Sequence, residues 1–433
     1  MPHELNVVLV EPEIPMNTGT IGRLCLATQS TLHLIEPLGF EISNSQLKRA
    51  GLDYWKHVKV KTHPDLEMFL QKIPQFMIFG MAKNTNKFLM LIKITPDKTF
   101  SLVIGVQLVL NLGIIGYRKH AGKLISFIEK RENCKINFIY HPTKQLEDSR
   151  FTNNFSDLFS CDAVIISSPN QTHFEYIEKL TKNFDGYIFC EKPPVTNFNE
   201  LEKLNNLPSN QKKKIFFDFT FRFSDLNNLI KQEMHSEELG QIIHIDIFGS
   251  KGLAFKKEYP NSWRADGKTN LHNILDANTI HHLDLVNLYQ GKIDRLTYFP
   301  SLVSENGTSF DTSYVILRYQ NGVTLSILNS YATPLINDIS IIGTNGHLTI
   351  RNNHLQIQSP RDTFDKNGLF TNPPISFQSD FSISNDIENS LKKSLDYFIS
   401  YVRENKNFDL KHFDASMQTN RLILELKQLK INE

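Results

Sequence analysis

Apolar positions along the chain fall into three blocks with different rhythms. From residue 5 to about 105, short β-rich runs (NVVLV, LHLIEP, FMIFG, SLVIG) alternate with helical stretches, which predicts an α/β segment. From about 110 to 220 the alternation repeats with LGIIGY, a helix through Phe127, then INFIY, DAVIISSP, YIFCEKP and KIFFDF. Continuous Ile, Val and Phe runs separated by helices predict a parallel sheet buried on both faces. After about Gly240 the runs lengthen to QIIHIDIFG, SYVILRYQNGVTLSILNSYA and DISIIGTNGHLTIRNNHLQIQ. These predict an antiparallel sheet, with Asn321-Gly322 and Asn345-Gly346 as turns. Amphipathic helices around Ile387 to Val402 and Asp414 to Leu429 follow. The expected domains are residues 1–105, 110–225 and 226–433, with no low-complexity linker between the first two.

Composition narrows the class without naming an activity. A chain of 433 residues suits two or three domains, and 40% apolar with 21% charged residues is the balance of a globular protein. A net charge of +1 supplies no global field for nucleic acid or anionic membrane. Cys25, Cys134, Cys161 and Cys190 are scattered without a C-x-x-C pair, which argues for reduced thiols rather than a disulfide framework or a zinc site. The start lacks a signal-peptide pattern. The most apolar stretch, Phe100 to Gly116, is interrupted by Gln107 and Asn111 and falls short of the roughly 18 apolar residues of a membrane span. A cytoplasmic protein without a membrane segment or a bound metal is the expectation.

The second block carries candidate chemistry. Leu112-Gly113-Ile114-Ile115-Gly116 ends a strand before a helix, where a dinucleotide fold holds pyrophosphate. The loop Gly116-Tyr117-Arg118-Lys119-His120-Ala121 keeps the first glycine and the final small residue of G-x-G-x-x-G/A. Arg118 replaces the central glycine, so either Arg118 and Lys119 cover the phosphates with charge or tight binding is lost. The second strand ends at His141 with no acid for a ribose 2'-hydroxyl. His141 and Lys144 suit a 2'-phosphate, so the cofactor is NAD or NADP with a lean to NADP.

Further along, Ser167-Ser168-Pro169-Asn170 with His173, and then Cys190-Glu191-Lys192-Pro193, close two strands. With the later His281-x-x-Asp284, these motifs resemble the Gfo/Idh/MocA oxidoreductases over about residues 110–433. The resemblance implies a Rossmann domain plus an α/β domain with an open antiparallel sheet that forms a homo-oligomer face. It implies hydride transfer on a sugar-type small molecule. It places Lys192 beside the nicotinamide and the substrate hydroxyl, His281 as proton-transfer partner, and Ser168, Pro169, Asn170, His173 and Glu191 at the cofactor. A lysine or histidine suits that task because each can trade protons near neutrality when its surroundings are tuned. The family's upstream aspartate falls on Ala277, and Asp276 lies one place off. Arg222, Trp263, Arg264, Asp276 and Asp284 are the substrate-binding candidates, an indole face suiting a sugar and a guanidinium fork suiting carboxylate or phosphate.

In the first block, VLVEPEIPMNTGTIGRLCLAT, LHLIEPLGF and KRAGLDYW resemble the TrmL-like SPOUT tRNA 2'-O-methyltransferases over about residues 5–105, with Lys83 to Lys87 and SLVIG as weaker matches. Carried over, Asn17, Thr18, Gly19 and Arg23 form the first motif, and an arginine there can hold phosphate. In that family S-adenosylmethionine sits in a knotted C-terminal half, and here SLVIG runs straight into VQLVLNLGIIGY. The reading is a truncated SPOUT-like segment without an S-adenosylmethionine site. The rivals are methyl transfer, tRNA docking without catalysis, and a non-catalytic nucleotide-binding fusion.

Overall fold

The computed structural model describes residues 5–10, 15–38, 55–65, 68–69, 77–78, 90–94, 100–104, 109–131, 133–144 and 147–429. The chain divides into two units, Met1–Val109 and Leu110–Glu433.

In the first unit six strands order as Lys59–His63, Thr31–Ile35, Leu5–Val10, Phe100–Ile104, Met90–Ile94 and Met77–Ile78. The pairs from Lys59–His63 through Phe100–Ile104 are parallel and the remaining two antiparallel. Val7, Leu9, Cys25, Leu32, Leu34, Trp55 and Val58 form its core. Gly22 is required there, since a Cβ at that position would lie 2.6 Å from the Trp55 ring. Asn17, Thr18, Gly19 and Arg23 all fall on the helix Pro15–Ala27. Thr18 is buried and Arg23 exposed, while the side chains of Asn17 and Gly19, and Lys83 to Lys87, lie outside the described residues.

The second unit begins with a six-stranded parallel sheet ordered Ile215–Asp218, Tyr187–Glu191, Ala163–Ile166, Leu110–Ile115, Cys134–Tyr140 and Phe151–Thr152. The chain builds one half outward from Leu110–Ile115, then returns to build the other half from Ala163–Ile166. The switch point therefore lies between these two strands, where ligands of such sheets sit. All four residues of Ala163–Ile166 are buried, as a sheet covered on both faces requires. Ala121, Leu124, Ile125 and Ile128 form the buried stripe of the helix Lys119–Glu129.

Beyond residue 240 an eight-stranded sheet orders as Ile293–Ser301, Thr312–Tyr319, Thr324–Ser330, Ile242–Ser250, Ile336–Gly343, His347–Arg351, His354–Gln358 and Ile375–Asp380. It is not wholly antiparallel as expected, because Ile242–Ser250 pairs in parallel with Thr324–Ser330. A parallel pair needs a long crossover, and the intervening chain carries the helix Ile280–Asn287. The sequence reading also missed one hairpin. Asn352 and Asn353, at φ 53° and 62°, turn between Arg351 and His354 as a two-residue loop with both residues left-handed.

The closing helices run Ile383–Arg403 and Leu410–Gln428. The first was placed with the last domain by the expected boundary at 226. Its stripe of Leu391, Leu395, Phe398, Ile399 and Val402 instead joins the core of the parallel sheet and the helix Lys119–Glu129. Phe413, Met417, Ile423 and Leu426 of the second share a core with both sheets. Among the described residues no helix is long and apolar enough to cross a membrane.

Candidate functional site

The crevice at the switch point is built by two tight turns. Gly116 has φ +104°, and a Cβ there would lie 2.6 Å from the carbonyl oxygen of Ser167. Only glycine allows the two strand ends to approach this closely in that backbone conformation. Arg118 stands at the N-cap of the helix Lys119–Glu129 in extended conformation and offers no side-chain cap bond, and no acid occupies the first turn. The first amides of this helix are left for an anion, and Arg118 and Lys119 flank them on the exposed side. These residues fit the pyrophosphate of a dinucleotide. Tyr117 is exposed, with its ring 5.0 Å edge-on from Phe151.

At the end of the second strand the His141 ring accepts backbone N–H groups of Thr143 (3.3 Å) and Lys144 (3.0 Å) through Nδ1. Burial, then Lys144 and Arg118, lower its pKa. Arg118, His141 and Lys144 thus gather near one loop.

The next turn differs from the sequence expectation. His173 is buried, with Nδ1 2.9 Å from the Pro193 carbonyl oxygen and Nε2 2.8 Å from that of Ser168. It staples the Ser-Pro-Asn turn to the Lys-Pro turn and does not face the cofactor crevice with a free nitrogen. Thr172 donates to Ser168 Oγ at 2.8 Å, and Pro169 caps the short turn Asn170–Thr172.

Glu191 and Lys192 leave the strand Tyr187–Glu191 in different directions. The Lys192 ammonium donates to the backbone oxygens of Asp276 (3.0 Å) and Ala277 (2.8 Å). Burial lowers its pKa to about 8, with Arg264 adding to the effect and Glu191 and Asp276 opposing it. Those carbonyls belong to a π-helical turn, Leu275–Thr279, that leads into the helix carrying His281. The His281 ring stacks on Phe221 with centroids 4.6 Å apart, and its buried Nδ1 has no hydrogen-bond partner among the described residues. Burial first, then the charge of Lys192, push its pKa well below the ordinary value. Lys192 and His281 therefore meet beside the crevice.

Glu191 turns the other way and bonds with His120 on the cofactor helix. Its strand-register partner is Asp218. Asp218 is fully buried and takes a hydrogen bond from Ser394 on one oxygen, with none on the other among the described residues. Burial and the neighbouring Glu191 raise the Asp218 carboxyl pKa far above the usual range. Burial also works against Glu191, but the charge and hydrogen bond of His120 outweigh it and hold that pKa down. Glu191 in turn raises His120. One ligand atom each from His120, Glu191 and Asp218 lies within 4.8 Å of the others, the one such group among the described residues that could hold a metal. The sequence reading missed Asp218. Its signal was an acid ending a buried strand opposite the E-K-P glutamate.

Three substrate candidates are placed elsewhere than expected. Arg222 and Asp284 are buried against each other in a bidentate pair (2.8 and 2.6 Å), so their donors and acceptors are already used within the framework. The Asp276 carboxylate is buried beneath Lys427 (2.7 Å) and Asn270 (2.6 Å) rather than presented to a substrate. Trp263 and Arg264 do stay accessible, with the Arg264 guanidinium 4.4 Å over the Trp263 ring.

A parallel sheet with a switch-point crevice, a half-buried lysine beside it, and an appended eight-stranded sheet together define a two-domain dinucleotide-dependent oxidoreductase architecture. The family comparisons agree. Residues 110–219 match the oxidoreductase family with NAD-binding Rossmann fold, residues 228–349 the GFO/IDH/MocA C-terminal domain, and residues 4–106 the SpoU rRNA methylase family. From Leu110 onward the chain belongs to the Gfo/Idh/MocA oxidoreductase family, preceded by a segment of the SpoU methylase family.

Two solved structures share its fold. An Agrobacterium radiobacter oxidoreductase in complex with NAD+, L-tartaric acid and magnesium is 19% identical, with a TM-score of 0.58 over 73% of this chain and 94% of its own. A myo-inositol 2-dehydrogenase from Lactobacillus plantarum is 18% identical, with a TM-score of 0.57 over 74% and 96%. For the first block, a tRNA (cytidine(34)-2'-O)-methyltransferase of Aeromonas hydrophila is 52% identical over 76 residues, 18% of this chain and 49% of that protein. The chain spans about half the length of the curated relatives it matches.

Proposed function

We propose that the Leu110–Glu433 unit carries out reversible hydride transfer on a carbinol carbon of a sugar or sugar derivative. The observation that carries this reading is Lys192, held by two carbonyls at the mouth of the crevice with its pKa lowered to about 8. A nicotinamide bound in the crevice would supply or accept the hydride. Lys192 would trade the hydroxyl proton and stabilise oxyanion charge, because a group titrating near the working pH transfers protons best. His281, kept neutral, would accept a hydrogen bond from the same hydroxyl and orient it.

Arg118, His141 and Lys144 favour NADP, since no carboxylate ends the second strand to hold a ribose hydroxyl. The first test is fluorescence titration of the full chain with NADH, NADPH and S-adenosylmethionine, followed by a sugar panel. Saturable reduced-nicotinamide binding with turnover supports the proposal. Binding without turnover favours a non-catalytic nucleotide-binding protein, and binding of S-adenosylmethionine alone would shift the search to tRNA.

Gly116→Ala should weaken reduced-nicotinamide binding by roughly tenfold. The substituted residue would keep a left-handed backbone at about 1–2 kcal/mol and press on Ser167. An unchanged dissociation constant in the same titration would remove Gly116 from the site.

The eight-stranded sheet is proposed as the homo-oligomer face. Phe299 and Tyr314 are register partners, stacked at 6.1 Å and exposed, and Ile243 and Ile342 are exposed on other strands of the same sheet. Apolar groups gathered on a face mark association sites. Light scattering should find an oligomer for the unaltered chain and a monomer for Tyr314→Asp. A monomer before substitution would sink this reading.

A further inference from the structure

The substrate side of the crevice gathers positive charge that, among the described residues, no carboxylate contacts directly. Lys192 is tied to the Ala277 carbonyl. The next residue, Asn278, accepts a hydrogen bond from the Tyr331 hydroxyl at 3.4 Å. Ala265, the residue after Arg264, packs in one buried cluster with Tyr331 and Ile274. The Lys251 amide donates to the Ser330 carbonyl at 3.0 Å, one residue before Tyr331. Lys192, Arg264 and Lys251 are thus linked through two adjacent segments. Among the described residues, none of the three has a carboxylate oxygen within 4.0 Å.

Glu191 and Asp276, which act on Lys192 from a distance, are themselves engaged by His120 and Lys427. The charges that act on Lys251 are Arg264 and Lys256, and those on His281 are Lys192, His282, His120 and Lys251. Each would weaken a neighbouring cation and strengthen a neighbouring anion. The Arg264 guanidinium, stacked over the Trp263 ring, keeps a planar fork of donors ready for an oxyanion.

We propose that the substrate is an anionic sugar derivative, whose carboxylate or phosphate is held by Arg264 and Lys251 while its carbinol lies at Lys192. The proposal rests on the hydride-transfer reading of this site. It goes beyond that reading by specifying the charge of the substrate and the residues that select it. The shared chemistry is an oxyanion two or more bonds from the reacting carbon, and a sugar acid and a sugar phosphate both present it.

Binding can be read without turnover, because the chain has two tryptophans, Trp55 and Trp263. Trp55→Phe leaves Trp263 as the reporter beneath Arg264. The NADPH- or NADH-saturated protein is titrated at constant ionic strength with gluconate, glucose 6-phosphate and glucose. At least one anion should bind about tenfold or more tighter than glucose, and Arg264→Gln should erase that preference while leaving reduced-nicotinamide affinity unchanged. Lys251→Gln, at an exposed position, should reduce it severalfold and serves if the Arg264 variant does not fold. Gluconate alone or glucose 6-phosphate alone identifies the source of the anion.

Equal binding of glucose overturns the proposal, as does a preference that survives both substitutions. Anion binding that disappears on saturation with the nicotinamide also overturns it, since the cations would then belong to the cofactor phosphates. Turnover of neutral sugars alone refutes the anionic substrate and keeps hydride transfer. Selective anion binding without turnover of any sugar acid or phosphate keeps the anion site and refutes hydride transfer.

Discussion

Lys192→Ala is expected to lower kcat by about 10²–10⁴-fold while leaving the fold and reduced-nicotinamide binding nearly unchanged, the range typical for loss of a positioned proton-transfer group. The side chain lies at the meeting of the cofactor strand and the π-helical turn, and among the described residues its ammonium bonds only to the Asp276 and Ala277 carbonyls. Lys192→Met keeps the length and apolar stem and removes the amine, so equal losses in both variants would assign the effect to the amine. An Ala or Met variant with ordinary turnover refutes the assignment.

The pH profile gives an independent reading. With a pKa lowered to about 8, the neutral amine needed to take a proton during alcohol oxidation appears as pH rises through about 8. Oxidation should therefore gain rate across that limb and carbonyl reduction should lose it, and both limbs should vanish in Lys192→Met. The stability sign follows from the same shift. Between about 8 and the ordinary lysine value the unfolded chain holds the proton that the folded chain has lost, so stability rises with pH in that window. In Lys192→Met this rise in unfolding midpoint should flatten.

Much of this site was legible because its chemistry is local in sequence. The strand-ending glycine, the Ser-Pro-Asn turn and the Glu-Lys-Pro turn each lie within a few residues, and alternating apolar runs place them at strand ends. What was not legible depends on partners far along the chain. His173 looks like a cofactor residue until Pro193 and Ser168 are seen to occupy both ring nitrogens. Asp276 looks like a relay acid until Lys427, 151 residues later, is found against it. The helix Ile383–Arg403 reads from periodicity as part of the last domain, yet its apolar stripe cannot reveal which sheet it covers. Asp218 was invisible because a buried acid means nothing until its register partner, Glu191, is known. In the first block the family match stops at residue 106 and the next family's begins at 110, and that abrupt change of pattern was itself readable.

Arg222→Leu should reduce the unfolding free energy by about 3–5 kcal/mol, the cost of leaving one member of a buried ion pair without its partner. The Arg222 side chain is 7% exposed and that of Asp284 1%. Two parallel bonds join them, and Asp284 also accepts from Thr419 at 2.9 Å. The third arm of Arg222 reaches the His412 carbonyl at 3.1 Å. Burial and Arg222 hold the pKa of His412 down to about 3, so its ring stays neutral. Three segments are locked at one point: the exit from the parallel sheet, the helix Ile280–Asn287, and the closing helix Leu410–Gln428. Asp284 lies one helical turn from His281, so the pair also sets where that ring stands. Urea unfolding should show the loss in the single variant, and a change below about 1 kcal/mol would refute the structural role. Arg222→Met with Asp284→Leu replaces both charges by apolar groups of similar size and should recover much of the stability. If the pair instead served the substrate, the double variant would regain stability but show a raised KM with unaltered kcat. A positioning role predicts the reverse, with kcat reduced as His281 loses its fixed place and KM little changed.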